Sequence, residues 1–321
     1  MTNSKNILIT GASGYLGQHL ISSLCTSTDS NHKYKICAAY GNLETFVEDV
    51  HGSSLLLSSA SSVTLVKLDL TSKDAVSSVA KAHGPFDAVV HLAAISSPGV
   101  CEKDPDRARA VNCPSALLDA LPPTTDVIFL STDQVYDGRN APYVETNEAN
   151  PVNLYGQTKL DFERLLMEKF PTNGVVLRSS LIIGPKTPFQ CRKQTFLQFV
   201  RDRLQKQEDT SFFTDEFRSV VYVADICLVI RHFIDNGVGS KADIYCMGGA
   251  ERVSRLDFAE AVAKHCGLDT ACAKGVARSS LPNPGPVASP PDISMDTSKL
   301  EKAVGIKMRG LAEMLEYCVT K

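Results

Sequence analysis

The chain has 321 residues, 43% of them hydrophobic, and a formal net charge of -3, which is ample to bury the core of one large domain or of two sharing a cleft. No long run of a single charge sign occurs, which excludes the basic footprint of a nucleic-acid binder and the polybasic patch of a lipid-surface protein, and leaves a small molecule as the expected partner. The first apolar run, Ile7 to Ile9, is only strand length, so neither a secretory signal nor a membrane span is expected and the sequence reads as that of a cytoplasmic protein.

Lys5 to Thr10 reads as a strand that runs straight into Gly11, Gly14 and Gly17, with Ser13, Tyr15 and Leu16 between them and Leu20, Ile21 and Leu24 following at helical spacing. Strand, glycine turn and helix are what a dinucleotide requires. Glycines let the backbone turn tightly and approach the pyrophosphate, whose charge then faces the free N–H groups at the helix start. A second strand, Lys35 to Tyr40, ends in Tyr40-Gly41-Asn42. An NAD enzyme places an acid there to accept both ribose hydroxyls, so the cofactor expected is NADP, with NAD as the alternative.

Residues 43 to 62 show no clear period. Val63 to Leu68 reads as a third strand before Asp69 and Leu70, and Ser72 to Ala82 as a helix. Phe86 to Leu92 is a buried strand closing on Ala93 and Ala94, small residues that leave room for a cofactor across the strand ends beside Leu92. Asp106 to Leu121 has helical spacing. Val127 to Leu130 is a further strand that ends in Ser131-Thr132-Asp133-Gln134. A hydroxyl at the carboxyl end of a central strand points into the crevice where open α/β sheets bind ligands, which makes Ser131 and Thr132 candidates for holding a substrate carbonyl.

Tyr155 and Lys159 stand four apart at the start of a helical pattern. Residues at that spacing share a face, so the cation is expected to favour the phenolate and bring proton transfer well below the reference pKa of about 10. Val175 to Arg178 is a strand, and from residue 185 the chain is less regular. It contains an amphipathic helix at Phe196 to Lys206, an Arg218 to Asp225 segment with Asp225 capping a helix over Ile226 to Ile234, and a strand ending at Cys246. A capped helix from Ser254 to His265 and a proline-rich loop from Pro282 to Pro291 follow. Ten cysteines and seven histidines give no Cys-x-x-Cys and no paired His spacing, so no metal site is expected. The fold class expected is α/β. A Rossmann-type, doubly wound parallel sheet spans 1–184, and a smaller C-terminal α/β substrate-binding region spans 185–321, with part of 217–238 returning to pack on the first.

The Gly-x-x-Gly-x-x-Gly spacing at 11–17, taken with Tyr155 and Lys159, resembles the short-chain dehydrogenase/reductase superfamily. The segment from Ser131 to Glu163, with Asn140 to Tyr143, Glu145 and Pro151 to Tyr155, and a late Ser294-Met-Asp-Thr-Ser-Lys299-Leu300, resembles the dTDP-4-dehydrorhamnose reductase group within it. That group includes the regulatory beta subunit of methionine adenosyltransferase. The resemblance implies that Thr132 orients the carbonyl, that Tyr155 is the acid and that Lys159 holds the cofactor ribose. By the same likeness Asp69 and Leu70 touch the adenine, the other reading of Asp69 being a helix cap, and Asn112 is a structural asparagine. Arg218 grips a substrate diphosphate, the other reading being a surface salt bridge, and its planar fork suits phosphate oxygens.

Sugar-nucleotide dehydratases resemble this chain at Ser-Thr-Asp but carry Glu next, where this chain has Gln134. An amide is no base, so water elimination is not expected. The reductases also have Arg at the start of the late proline segment, where Ser289-Pro290-Pro291 stands here. The activity implied is NADPH-dependent reduction of a nucleotide-linked 4-keto-6-deoxy sugar with Tyr155 giving the proton. The alternative is a non-catalytic, NADP-binding regulatory subunit. A homodimer or a complex with a partner enzyme is left open.

Overall fold

A computed structural model of the chain describes residues 3–26, 32–41, 61–189, 191, 194–281 and 287–318. Asn42, the stretch 43–60 and Pro282 to Pro286 of the proline-rich loop lie outside the described residues. Seven parallel strands form the main sheet: β1 (Asn3–Thr10), β2 (His32–Tyr40), β3 (Ser62–Lys67), β4 (Ala88–His91), β5 (Asp126–Thr132), β6 (Gly174–Ser179) and β7 (Asp243–Met247). Their order is 3-2-1-4-5-6-7, the doubly wound arrangement in which strand order reverses beside β1 and opens a crevice at the carboxyl ends.

The strands read as nearly continuous apolar runs because helices cover both faces. Alternate residues divide between the two. Ile7, Ile9, Ile36, Val90, Ile128, Val175 and Leu177 pack into one cluster, under α1 (Tyr15–Thr26). Leu8, Cys37, Val89, Val127, Phe129 and Val176 pack into the other, under α2 (Lys73–His83) and α3 (Leu154–Lys169). A strand's period of two forces this division.

Three more helices matter for the site: α4 (Phe196–Gln205), α5 (Val223–Asn236) and α6 (Arg255–Cys266). Leu20, Ile21 and Leu24 of α1 share a core with Ile226, Ile230 and Phe233 of α5. The Lys5 amine donates to the Ile234 carbonyl and the Tyr34 hydroxyl donates to Asp235 at 2.7 Å. Beyond α5, β7 pairs with β6 and extends the large sheet, although sequence places it in the C-terminal region. A strand's partner is set by tertiary packing and not by its own residues.

The helix expected over Asp106 to Leu121 is two, Pro105–Asn112 and Ser115–Asp119. Pro114 has no N–H to continue the ladder and displaces Cys113 from helical geometry, to φ -127 and ψ 60. Asp225 is not the cap of α5, which begins two residues earlier behind Tyr222. Its buried carboxylate instead accepts from the Arg309 guanidinium and, at 3.3 Å, from the Arg309 backbone. No described helix is long and apolar enough to cross a membrane.

Candidate active site

A cleft of about 660 Å³ opens at the carboxyl ends of β1, β4, β5 and β6. Gly11, Ser13, Gly14, Tyr15, Leu16 and Gly17 line one end of it, Leu92, Ala93 and Ala94 lie beside them, and Ser131, Thr132, Gln134, Tyr155, Lys159 and Arg218 complete the wall. Two residues from the sequence reading stand apart. Asp69 is exposed and turned onto Thr71, accepting from its backbone N–H at 2.9 Å and its hydroxyl at 2.7 Å. Leu70 is buried in the hydrophobic cluster with Val76 and Val79. Neither lines the cleft, and Asp69 is not the cap either: the Ser72 hydroxyl caps α2 by accepting from Ala75 N–H at 3.2 Å.

The glycine turn is built for close approach. Gly11 has φ +72, and a Cβ there would fall 2.7 Å from the Ala93 nitrogen. A Cβ at Gly17 would fall 2.4 Å from the Gly11 carbonyl, which lets α1 sit directly on the turn. These positions therefore admit glycine alone, and the turn delivers the start of α1 to the cleft as an anion site. The residues fit a dinucleotide. Gly41, immediately after β2, also lines the cleft, with no carboxylate in its place.

Tyr155 and Lys159 share the first turns of α3, whose start is fixed by the Asn153 side chain accepting from Gly156 N–H at 2.9 Å. Gly156 is obligatory here, since a Cβ would fall 2.2 Å from the Gln134 carbonyl. This close approach presses α3 against the Thr132 to Gln134 turn. Burial pushes the Tyr155 phenol above its ordinary value; the Thr132 hydroxyl opposes this and the Asp133 charge adds to it. The sequence expectation that Lys159 pulls the phenol well down is thus corrected: desolvation of the phenolate is the dominant effect, and the phenol is held protonated.

Lys159 is 2% exposed, and its Nζ lies 4.1 Å from the Phe129 ring centroid. Burial pushes the ammonium down to about 7, with Glu163 opposing. Below it sits fully buried His91, pushed down to about 3 by burial first and by Lys159 second. Thr10 Oγ1 accepts from Leu92 N–H at 3.2 Å and Ala93 N–H at 3.3 Å, and faces His91 Nδ1 at 2.7 Å. Asn112 braces the same region, accepting from Ile95 N–H at 2.7 Å and donating to Thr158 Oγ1 at 3.0 Å.

Ser131 and Arg218 line the cleft but are tied to the chain. The Ser131 hydroxyl donates to Glu163, which also pairs with Arg178 at 2.7 Å, and Arg178 donates to Tyr136 at 2.8 Å. Arg218 donates to the carbonyls of Phe217 at 2.7 Å, Pro290 at 3.0 Å and Pro291 at 3.3 Å, and to Ser289 Oγ at 3.3 Å. Gln134 accepts from the Asn153 amide at 2.9 Å. Thr132, Gln134 and Asp133 line the cleft beside Tyr155 as well, with the Thr132 hydroxyl donating to Asp133 and accepting from Gln134 N–H, each at 3.2 Å. The Asp133 carboxyl is buried, accepts from Ser180 at 2.8 Å, and is pushed up by burial against the pull of Arg218. Sequence reasoning missed Asp133, Ser180 and Arg255 as cleft residues. Asp133 adjoins Thr132 and was within reach of the motif; Ser180 and Arg255 arrive only through the fold.

Comparison with known proteins places this cleft in context. The family model described as RmlD substrate binding domain matches residues 5–321. A dTDP-4-dehydrorhamnose reductase of Aggregatibacter actinomycetemcomitans is 27% identical over 319 residues, covering 94% of each chain. Methionine adenosyltransferase 2 subunit beta of Danio rerio is 26% identical over 266 residues, covering 82% of this chain and 74% of that one. Among solved structures, a dTDP-4-dehydrorhamnose reductase of Bacillus anthracis in complex with NADP superposes with a TM-score of 0.77 at 19% identity, covering 98% of both chains. A UDP-glucuronic acid 4-epimerase of Bacillus cereus superposes with a TM-score of 0.75 at 22% identity over 97% of both. With the family model spanning all but the first four residues, the chain belongs to the RmlD substrate binding domain family.

Proposed function

We propose that the protein is an NADPH-dependent reductase of a keto sugar, most specifically a nucleotide-linked 4-keto-6-deoxy sugar. The observation that carries this reading is the convergence of the glycine turn, Thr132, Tyr155 and Lys159 on one cleft. A reduced nicotinamide, when bound, supplies the hydride. The chain supplies everything else. Tyr155, kept protonated by burial, gives its proton to the carbonyl oxygen as that oxygen gains charge, and the Thr132 hydroxyl donates to the same oxygen. Both interactions strengthen as charge develops, so they favour the transition state over the ground state. Lys159 holds the ribose hydroxyls with an amine that none of the described residues engages by hydrogen bond. Gly41 after β2, in place of an acid, supports NADP, with NAD as the alternative. Gln134 offers no base for water elimination.

The test is oxidation of NADPH or NADH by the purified chain across a panel of 4-keto sugar nucleotides. A second reading, a regulatory subunit that binds NADP without turnover, is supported by the 26% identity to methionine adenosyltransferase 2 subunit beta. Absence of turnover across the panel, together with a stable complex with a partner enzyme, would decide for it.

A further inference from the structure

Three guanidiniums converge on one carboxylate. Glu216 is approached by Arg218 at 3.8 Å, Arg255 at 3.9 Å and Arg278 at 2.8 Å. Two of them are committed to the chain. Arg218 is bound to the Phe217, Pro290 and Pro291 carbonyls, and Arg278 donates to Glu216 and, at 3.0 Å, to the Val287 carbonyl.

Arg255 differs. Its guanidinium makes no hydrogen bond with any described residue, and 3.9 Å to Glu216 is beyond hydrogen-bond reach. It lies over the Phe196 ring at 4.9 Å and lines the same cleft as Tyr155. The Phe196 ring and Glu216 favour a cation there, but two features work against it. Arg255 is the first residue of α6, where the helix dipole repels positive charge. Burial and the neighbouring Arg218 push the guanidinium down to about 10, and Glu216 and Asp133 offset this only in part. A set of unused donors on a disfavoured cation facing a cleft is the arrangement an arriving anion completes.

We propose that Arg255 anchors a phosphate oxyanion of the substrate, while Arg218 serves as a structural tie for the 289–291 segment. The inference rests on the sugar-nucleotide reading above and names the residue that holds the diphosphate. A guanidinium fork with free donors matches phosphate oxygens in pairs, and three guanidiniums set against Glu216 and Asp133 leave a net positive charge that suits an anion. Asp133 is acted on by Arg255 and itself acts on Tyr155. The anchor, Asp133 and the proton donor all line the one cleft.

The experiment is isothermal titration of the full chain, saturated with NADP, with dTDP, with UDP and with glucuronate as a carboxylate control. Arg255→Gln is expected to weaken binding of the nucleoside diphosphate roughly 10- to 100-fold, the loss of a hydrogen bond to a charged group. Arg255→Lys recovers part of it, and NADP affinity stays at the wild-type value. Arg218→Gln lowers the melting temperature instead. Should Arg255→Gln not fold, weaker binding by Arg255→Lys carries the test, because it keeps the charge and loses the fork. Wild-type affinity for dTDP and UDP in the Arg255 variants, equal weakening of NADP, Arg255-dependent binding of glucuronate alone, or a wild-type chain that binds neither diphosphate would each overturn the proposal. A chain that binds dTDP through Arg255 yet reduces no keto sugar keeps the anchor and defeats the reductase reading.

Discussion

The Lys159 amine rests 4.1 Å from the centre of the Phe129 ring and, among the described residues, has no hydrogen-bond acceptor. An aromatic face stabilises an ammonium less than the water shell it replaces, so burial pushes Lys159 down to about 7. Ribose hydroxyls would supply the missing acceptors and favour the charged form. Binding of NADP at pH 8 is therefore expected to take up a proton. Titration calorimetry in buffers of different ionisation enthalpy measures this directly, and no uptake, or uptake that persists in Lys159→Met, would contradict the role.

Two buried groups make stability depend on pH in separate windows. Lys159 lies at about 7 in the fold against 10.5 ordinarily, and His91 at about 3 against 6.5. Between the folded and unfolded values the unfolded chain binds the proton and the folded chain does not, so stability rises with pH across each window. His91→Phe is expected to flatten the stability curve between pH 3 and 6.5, and Lys159→Met to flatten it between pH 7 and 10.5. Each change is on the order of a few kcal/mol across its window. Urea midpoints as a function of pH measure both.

Glu163 and Arg178 form a buried pair at 2.7 Å, with side chains 2% and 5% exposed. Removing one partner strands the other charge. Glu163→Ala is expected to cost about 3–5 kcal/mol, read as a fall in urea midpoint. Adding Arg178→Met should restore much of it, because the uncompensated charge is then gone. The single variant should also free the Ser131 hydroxyl, which now donates to Glu163.

Gly11→Ala places a side chain at φ +72 and 2.7 Å from the Ala93 nitrogen. The left-handed backbone alone costs about 1–2 kcal/mol, and the clash moves the turn away from β4. Loss of NADP affinity larger than the loss of stability is expected, measured by fluorescence titration beside thermal melts.

What the sequence disclosed follows the range of the forces involved. The turn at Gly11 to Gly17, the hydroxyl at Thr132 and the Tyr155 and Lys159 pair are local patterns at strand and helix ends, and all line one cleft. Spacing alone brings each of them to the carboxyl edge of the sheet. The break at Pro114 interrupts what reads by spacing as one helix over Asp106 to Leu121, although the ring's missing N–H is a local signal. Other features depend on neighbours distant in the chain. Arg218 reads in sequence as a diphosphate grip or a surface salt bridge but is taken by carbonyls more than seventy residues away. Arg255 looks like an ordinary helix-start residue until Glu216 and Arg218 are folded against it. The phenol of Tyr155 was misjudged because spacing conveys charge and not desolvation.

Turnover by wild type and Tyr155→Phe, measured as NADPH oxidation with dTDP-linked and UDP-linked 4-keto-6-deoxy sugars, tests the central claim most directly. The account predicts oxidation by the wild type with at least one of these sugars, a fall of about 10²- to 10⁴-fold in kcat on losing the phenolic proton, and unchanged NADP affinity. A wild type inactive on every member of the panel, or a Phe variant that turns over at the wild-type rate, would contradict it.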